Sequence, residues 1–481
     1  MIISNKIKGL FRVSSANLFA LGASLVTSFV LPLAISVEQY GYWQLYSLYL
    51  AYIGFFVLGF NDGIHLNYSS CEYNSDFQKK FKTFFIYLSI VSIAETLLLA
   101  VILFFTFPRN TISSYLAIIV ALNLLPTALD GLFLYMSQGT LRFKEYSLLS
   151  IIDKALFLVI MVCLLILKVE NALYYIIAYT AIRYLSLIYV YYSAKEVFKA
   201  EALPIKAVGP EIKNNYFKGF PLMIAGILGG PSLIVGGRLL VQNKMGIESF
   251  SAYSFSLNTI VIAAQFISAV ATVFYPILKR TSKEDLPKMY ASFDKVTTLF
   301  SIVLLLSYYP AALLVNLLYV KYSSILSYLF VVYPLFIYQC KSNVLIVNAY
   351  KVKNSPVRLI LVNIIGIAIH LLCIFIAYSI SPGVGSIALA TLFSLALWYY
   401  VIQWHIHKVE GWNFKLWKML DAVLVIVFIL ANLFLTIMIK NINIRLIVGF
   451  VSLLFIVLII YRSRRGRIRS IVKEFTNLMK D

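Results

Sequence analysis

The sequence predicts an all-α integral membrane protein, and three observations lead there. Hydrophobic residues fill 61% of the 481 positions and charged ones only 13%, with a mean hydropathy of +0.87. A soluble chain of this size needs a largely polar surface, which this composition does not supply. Long apolar runs recur along the whole chain, each near the roughly 20 residues that cross a hydrocarbon core of about 30 Å. Lys and Arg, finally, gather in alternate connections between those runs rather than in one block.

Fourteen runs are legible as spans, at 10–34, 43–60, 82–106, 113–136, 147–168, 171–193, 217–240, 250–274, 295–318, 324–349, 356–379, 383–407, 417–438 and 443–461. The connections are short, the longest lying near 61–81 and 194–216. Chemistry is therefore expected inside the helical bundle. The first run, with basic residues before it and "LAIS" near its end, has the outline of a signal peptide. It is read as a span because a related segment returns inside the chain.

The net charge of +21 comes from 41 Lys and Arg against 20 Asp and Glu. With sides alternating from the N-terminus, only Arg109, Lys168, Arg238, Lys244, Lys321, Lys440 and Arg445 fall on the far side. Lys154, Arg183 and Lys341 lie within spans. Cytoplasmic loops retain Lys and Arg, so both termini are expected in the cytoplasm. The basic tail "YRSRRGRIRSIVKEF" reads as an anchor on anionic lipid, and nucleic acid is not expected as a partner. Cys71, Cys163, Cys340 and Cys373 are scattered, without metal or redox spacing.

An internal repeat organises the spans. "KGL" at 8–10 and "EQYGYW" at 38–43 return as "KGF" at 218–220 and "ESFSAY" at 248–253. The constant offset matches Lys8 with Lys218, Gly9 with Gly219, Glu38 with Glu248, Tyr40 with Phe250 and Trp43 with Tyr253. An even number of spans separates the copies, so two six-helix lobes would share one orientation, a known transporter plan with the site between the halves. The expected division is 1–216 for spans 1–6, 217–408 for spans 7–12, and 409–481 for an appended pair, spans 13 and 14, with the basic tail.

Polar residues inside spans carry the functional reading. A helix rises about 1.5 Å per residue, so distance from the span ends gives depth. Arg183, Glu95, Gln265 and His370 fall near mid-span; Asp130, Asp153, Lys154 and Lys341 lie in the cytoplasmic third, and Arg238 at an outer end. An ionised group at the bilayer centre costs at least about 2.5–3.5 kcal/mol, so such residues face a cavity or a partner. Arg183 is either a substrate contact or the structural partner of Glu95, and Asp130 with Lys154 is a second candidate pair. Lys341 has no acid at its depth in its own lobe. Arg238 can also snorkel to the interface, and His370 is either a satisfied core residue or a proton-sensitive group. Four cations thus face three acids, a surplus suited to an anionic, phosphate-bearing substrate. The abundant tyrosines, as in "YGYWQLYSLYLAY" at 40–52, fit an interfacial belt, and any that face a cavity would offer stacking surfaces for sugars.

Other patterns carry no chemistry. "GGPSLIVGGR" at 229–238 lacks the Gly-Lys-Ser/Thr ending of a phosphate loop and is expected to bend span 7 around Pro231. "HIH" at 405–407 puts its histidines on different helix faces, so no metal site is expected. No nucleophile–His–acid constellation is legible, so the chain reads as no enzyme and needs no cofactor.

"GTLRFKEYSLLSII" at 139–152, "GFNDGIHLNYSS" at 59–70 and "PGVGSIALATLFS" at 382–394 resemble segments of the bacterial polysaccharide flippases. These are the O-antigen and capsule repeat-unit translocases of the multidrug/oligosaccharidyl-lipid/polysaccharide superfamily. The resemblance implies a fold like that of the multidrug (MATE) exporters, with a cationic cavity. It implies movement of an undecaprenyl-pyrophosphate-linked oligosaccharide across the bacterial cytoplasmic membrane, by alternating access. Arg12 falls where relatives often carry a basic residue and joins Arg183, Lys341, Lys154 and Arg238 as a substrate-binding candidate. No ATP site is visible, so H+ or Na+ coupling is inferred, with Glu95, Asp130, Asp153 and His370 as coupling or structural groups. Membrane lipids, a polysaccharide polymerase and assembly proteins are the implied partners. The rival readings are a multidrug exporter, a lipid II or teichoic-acid precursor flippase, and a membrane polymerase or ligase.

Overall fold

Proline, glycine and side-chain caps shape several of the helix ends and bends. A computed structural model describes residues 2–69, 71–106, 112–228, 232–282, 284–352, 356–408 and 420–478, and every regular element among them is a helix. The chain divides into two compact units, Met1–Ile227 and Leu228–Asp481. The division falls inside the expected span 7 rather than before it.

The first unit runs α1 (Ile2–Ala34), α2 (Val37–Tyr52), α3 (Phe60–Asn67), α4 (Ser75–Thr106) and α5 (Ile112–Leu122). It continues with α6 (Leu124–Gly139), α7 (Phe143–Ile166), α8 (Ala172–Ser193), α9 (Lys195–Lys199) and α10 (Ile205–Ile227). Pro32 in α1 has no N–H to offer the Ser28 carbonyl, and the Tyr40 hydroxyl donates to that carbonyl at 3.0 Å. Ser36 caps α2 by accepting from the Gln39 N–H.

Span 2 is not the continuous helix expected at 43–60. A tight turn at Ile53–Val57 leads to Leu58 (φ 51°) and Gly59 (φ 78°), both left-handed, and α3 leaves at 62° to the preceding segment. The cause is visible in α10. Backbone atoms of Gly219 lie where a Cβ on Gly59 would sit, and Gly59 backbone fills the reciprocal place at Gly219. Asn67 Nδ2 donates to Asn215 Oδ1 at 2.6 Å across the same crossing, and Lys80 of α4 pairs with Glu211 of α10 at 2.8 Å.

The second unit runs α11 (Ser232–Arg280), α12 (Leu286–Leu305), α13 (Tyr308–Leu318), α14 (Leu329–Val332) and α15 (Leu335–Lys341). Then come α16 (Val347–Val352), α17 (Pro356–Ile380), α18 (Val384–Lys408), α19 (Leu420–Met438) and α20 (Ile442–Leu478). Gly246 (φ 84°) splits α11 into two helices with almost no connection. The chain after Lys341 passes through a π-turn at Ser342–Ile346, where the Val347 N–H reaches back five residues to the Ser342 carbonyl. The last helix runs unbroken from the expected span 14 into the basic tail.

Eleven helices among the described residues are long and apolar enough to cross a membrane, or twelve if the bent pair counts as one span. The sequence leads to fourteen. The other two, 217–240 and 250–274, pass through 229–231 and through the side chains of 261–277, which lie outside the described residues; so does the expected bend at Pro231. Leu97, Leu98, Val101 and Phe105 of α4 stay exposed, as lipid-facing side chains do. Some tyrosines depart from the belt expectation: Tyr40, Tyr46, Tyr175, Tyr253, Tyr338 and Tyr399 are fully buried, whereas Tyr174, Tyr191 and Tyr192 are exposed. The repeat-matched pairs Tyr40 and Phe250, and Trp43 and Tyr253, are buried in their own units.

Candidate functional site

Span 4 is two helices, α5 and α6, meeting at Asn123. Pro126 cannot donate to the Leu122 carbonyl, and the Tyr184 hydroxyl of α8 takes that place at 2.6 Å. Asn123, fully buried, accepts from Arg183 Nη1 at 3.2 Å and donates through Nδ2 to the Thr180 hydroxyl at 3.0 Å. The Tyr46 hydroxyl lies 3.0 Å further along, on Thr180. Arg183 Nη2 donates to the Thr127 hydroxyl at 2.9 Å and stands 4.0 Å from Asp130 Oδ2. A polar ribbon thus crosses the first unit from α2 to α8, with Arg183 at its end.

Two expected pairings are corrected here. Arg183 pairs with Asp130, not Glu95. The buried stripe of α4 runs through Phe81, Phe84, Leu88, Ser92 and Thr96, and Glu95 sits at its edge, with no hydrogen bond or ion pair among the described residues. Depth matched the two residues, but helix face separated them. Lys154 pairs with its neighbour Asp153 at 3.1 Å rather than with Asp130. Its side chain remains 34% exposed, against 12% for Arg183, so Lys154 is the more accessible cation. Arg12 is exposed on α1. Arg183 makes no further hydrogen bonds among the described residues, which leaves donors of its five-donor fork uncommitted.

In the second unit the expectation that Lys341 lacks an acid is overturned. Its side chain is completely buried. The ammonium donates to Asp294 Oδ1 at 2.8 Å, the Thr298 hydroxyl at 2.6 Å and Asp421 Oδ2 at 2.5 Å. All three of its donors are used. Tyr399 donates to the same Asp294 oxygen at 3.3 Å, and Gln403 donates to the Tyr399 hydroxyl at 3.0 Å. Asp294 precedes the apolar run of span 9 at 295–318, but α12 begins at Leu286 and carries it two turns inside. The available signal was the polar stripe Asp294, Thr298 and Ser301 at helical spacing, all buried. With Asp294 and Asp421 added to Glu95, Asp130 and Asp153, and Lys295 brought inside α12 beside Asp294, five acids face five cations, and the expected positive surplus disappears.

His370 lies buried between α11 and α18. Gly237 N–H donates to Nε2 at 3.1 Å, which leaves Nδ1 as the protonated nitrogen facing the Ser394 hydroxyl at 2.9 Å. Both nitrogens are satisfied without a carboxylate, the geometry of a structural histidine. Arg238 donates through Nε to the Ser254 hydroxyl at 3.3 Å and lies over the Phe250 ring at 5.4 Å. Separately, Tyr49, Tyr52, Phe56, Leu99, Leu103 and Val120 line an apolar groove of the first unit between α2, α4 and α5.

No family model matches the chain, and no curated protein matches it. Solved structures do. The lipid II flippase MurJ, in an inward closed conformation, superposes with a TM-score of 0.65 at 14% identity, over 95% of this chain and 99% of that one. A multidrug resistance MATE family transporter of the MOP superfamily, inward-facing, gives 0.63 at 11% identity, over 82% of this chain and 98% of that one. A MOP superfamily transporter from Pyrococcus furiosus, described as having a binding pocket of reverse polarity, gives 0.54 at 12% identity, over 85% and 97%. At such identities the likeness establishes the fold, which is the MATE-like all-helical membrane fold expected from the sequence.

Proposed function

We propose that this chain is a flippase that moves a lipid-linked anionic oligosaccharide across the membrane by alternating access. The observation that carries this reading over multidrug export is the extent of the structural likeness. The lipid II flippase accounts for 95% of the chain, while the multidrug transporter accounts for 82%. The difference is close to the share occupied by 409–481, the appended pair and tail. The cargo fitting the resemblance of 139–152, 59–70 and 382–394 is an undecaprenyl-pyrophosphate-linked repeat unit. The cytoplasmic membrane of a bacterium is its place, and the distribution of Lys and Arg supports cytoplasmic termini.

Within the first unit, Lys154, Arg12 and the uncommitted donors of Arg183 are the groups that would meet pyrophosphate, since guanidinium and ammonium bind phosphate through charge-assisted hydrogen bonds. Lys341 takes a structural role in this reading, being sealed. The test is export of the polymer by a deletion strain carrying Arg183→Ala, Arg183→Lys or Lys154→Ala. Loss with Ala and partial return with Lys is expected, at unchanged protein levels. Full export by both Ala variants removes these cations from the substrate path. Multidrug export is the second reading, favoured by the vanished positive surplus and by Glu95 standing without a cation. Drug susceptibility of the deletion strain separates the two.

A further inference from the structure

Lys341 sits where a free ion would otherwise be held. Two carboxylates from α12 and α19 and the Thr298 hydroxyl converge on one point, and the ammonium fills it. The cluster is buried: Lys341 and Thr298 are essentially unexposed, and Asp294 and Asp421 are 9% and 7% exposed. Tyr399 closes one wall, its hydroxyl on Asp294 and its ring 5.8 Å from the ammonium. The acids outnumber the cation, and Asp421 Oδ1 is buried without a hydrogen-bond partner among the described residues. The cluster therefore has one oxygen ligand more than the lysine uses. Two carboxylates, one of them with a spare oxygen, and a hydroxyl form a hard-oxygen ligand set, the kind that small cations take.

We propose that Lys341 is a resident cation: its ammonium occupies a carboxylate–hydroxyl site in the second unit that binds a small monovalent cation when the side chain is cut back. The native chain accordingly needs no ion at this point. On the flippase reading above, any ion exchange then falls to other groups, such as Asp130 and Glu95, which lack so close a counter-ion. The experiment below reads stability alone, so its outcome is independent of what the protein carries.

The purified full chain is melted in sodium, ammonium or choline chloride at one ionic strength. The native midpoint in each salt is the reference against which the variants are read. Lys341→Ala should melt lower in choline and regain about 3 °C or more, saturably, in sodium or ammonium. Lys341→Met, which fills the volume without charge, and Lys341→Ala/Asp421→Asn, which removes a ligand, should regain nothing. Recovery of folded Lys341→Ala from sodium or ammonium buffers but not from choline counts as the expected result. An Ala variant that melts alike in the three salts, or is lost in all of them, overturns the proposal. Equal rescue of the Met variant overturns it as well, because the effect would then lie outside the site.

Discussion

Gly59 and Gly219 meet backbone to backbone, each occupying the space a Cβ on the other would need. Gly219→Ala should therefore cost about 1–3 kcal/mol through overpacking. Gly59→Ala should cost more, since its φ of 78° adds a left-handed penalty of about 1–2 kcal/mol. Gly22→Ala, with nothing within 4 Å of the new Cβ, is the neutral control. Thermal melting of the purified variants ranks the three.

Tyr40 and Tyr184 each serve a carbonyl left free by a proline, Ser28 beside Pro32 and Leu122 beside Pro126. Removing one hydroxyl strands an acceptor at a cost of about 1–3 kcal/mol. Tyr40→Phe should be the more damaging, because Tyr40 is fully buried and also accepts from Gln44 Nε2 at 2.7 Å. The ordering of melting midpoints checks this.

His370→Gln should melt close to the native protein, since its amide oxygen can accept from Gly237 as Nε2 does. His370→Phe strands the Gly237 N–H and should lose about 1–3 kcal/mol. The pH profile of transport in the Gln variant should follow the native one. A displaced profile would return His370 to the coupling groups.

Tyr68, just beyond the end of α3, donates to Glu211 Oε2 at 3.3 Å. Burial, then the charge of Glu211, raises its phenol above the ordinary 10.0. The folded state holds this proton more tightly than the unfolded chain does, so its contribution is intact below pH 10 and declines as pH rises beyond it. Tyr68→Phe should show a shallower alkaline loss of stability than the native chain.

Composition and charge alternation made the membrane fold readable, because bilayer thickness and the fate of basic loops act on residue type alone. The residues inside the bundle were readable by depth but not by partner. Arg183 and Glu95 share a depth, yet the face of α4 separates them, and Asp130 on α6 takes the pairing. Asp294 was set outside its span by the onset of apolar residues, although the helix starts earlier. The contacts of Tyr40 and Tyr184 with proline-freed carbonyls were hidden because they join residues 12 and 62 positions apart.

The turn at Leu58–Gly59 has a consequence for distance. Beyond it, at 62° to the segment before, each residue of α3 advances only about 0.7 Å along the earlier direction instead of about 1.5 Å. Asp62 and His65 are thus carried sideways more than inward. Along this stretch the residue number stops being a ruler of membrane depth and becomes one of lateral reach.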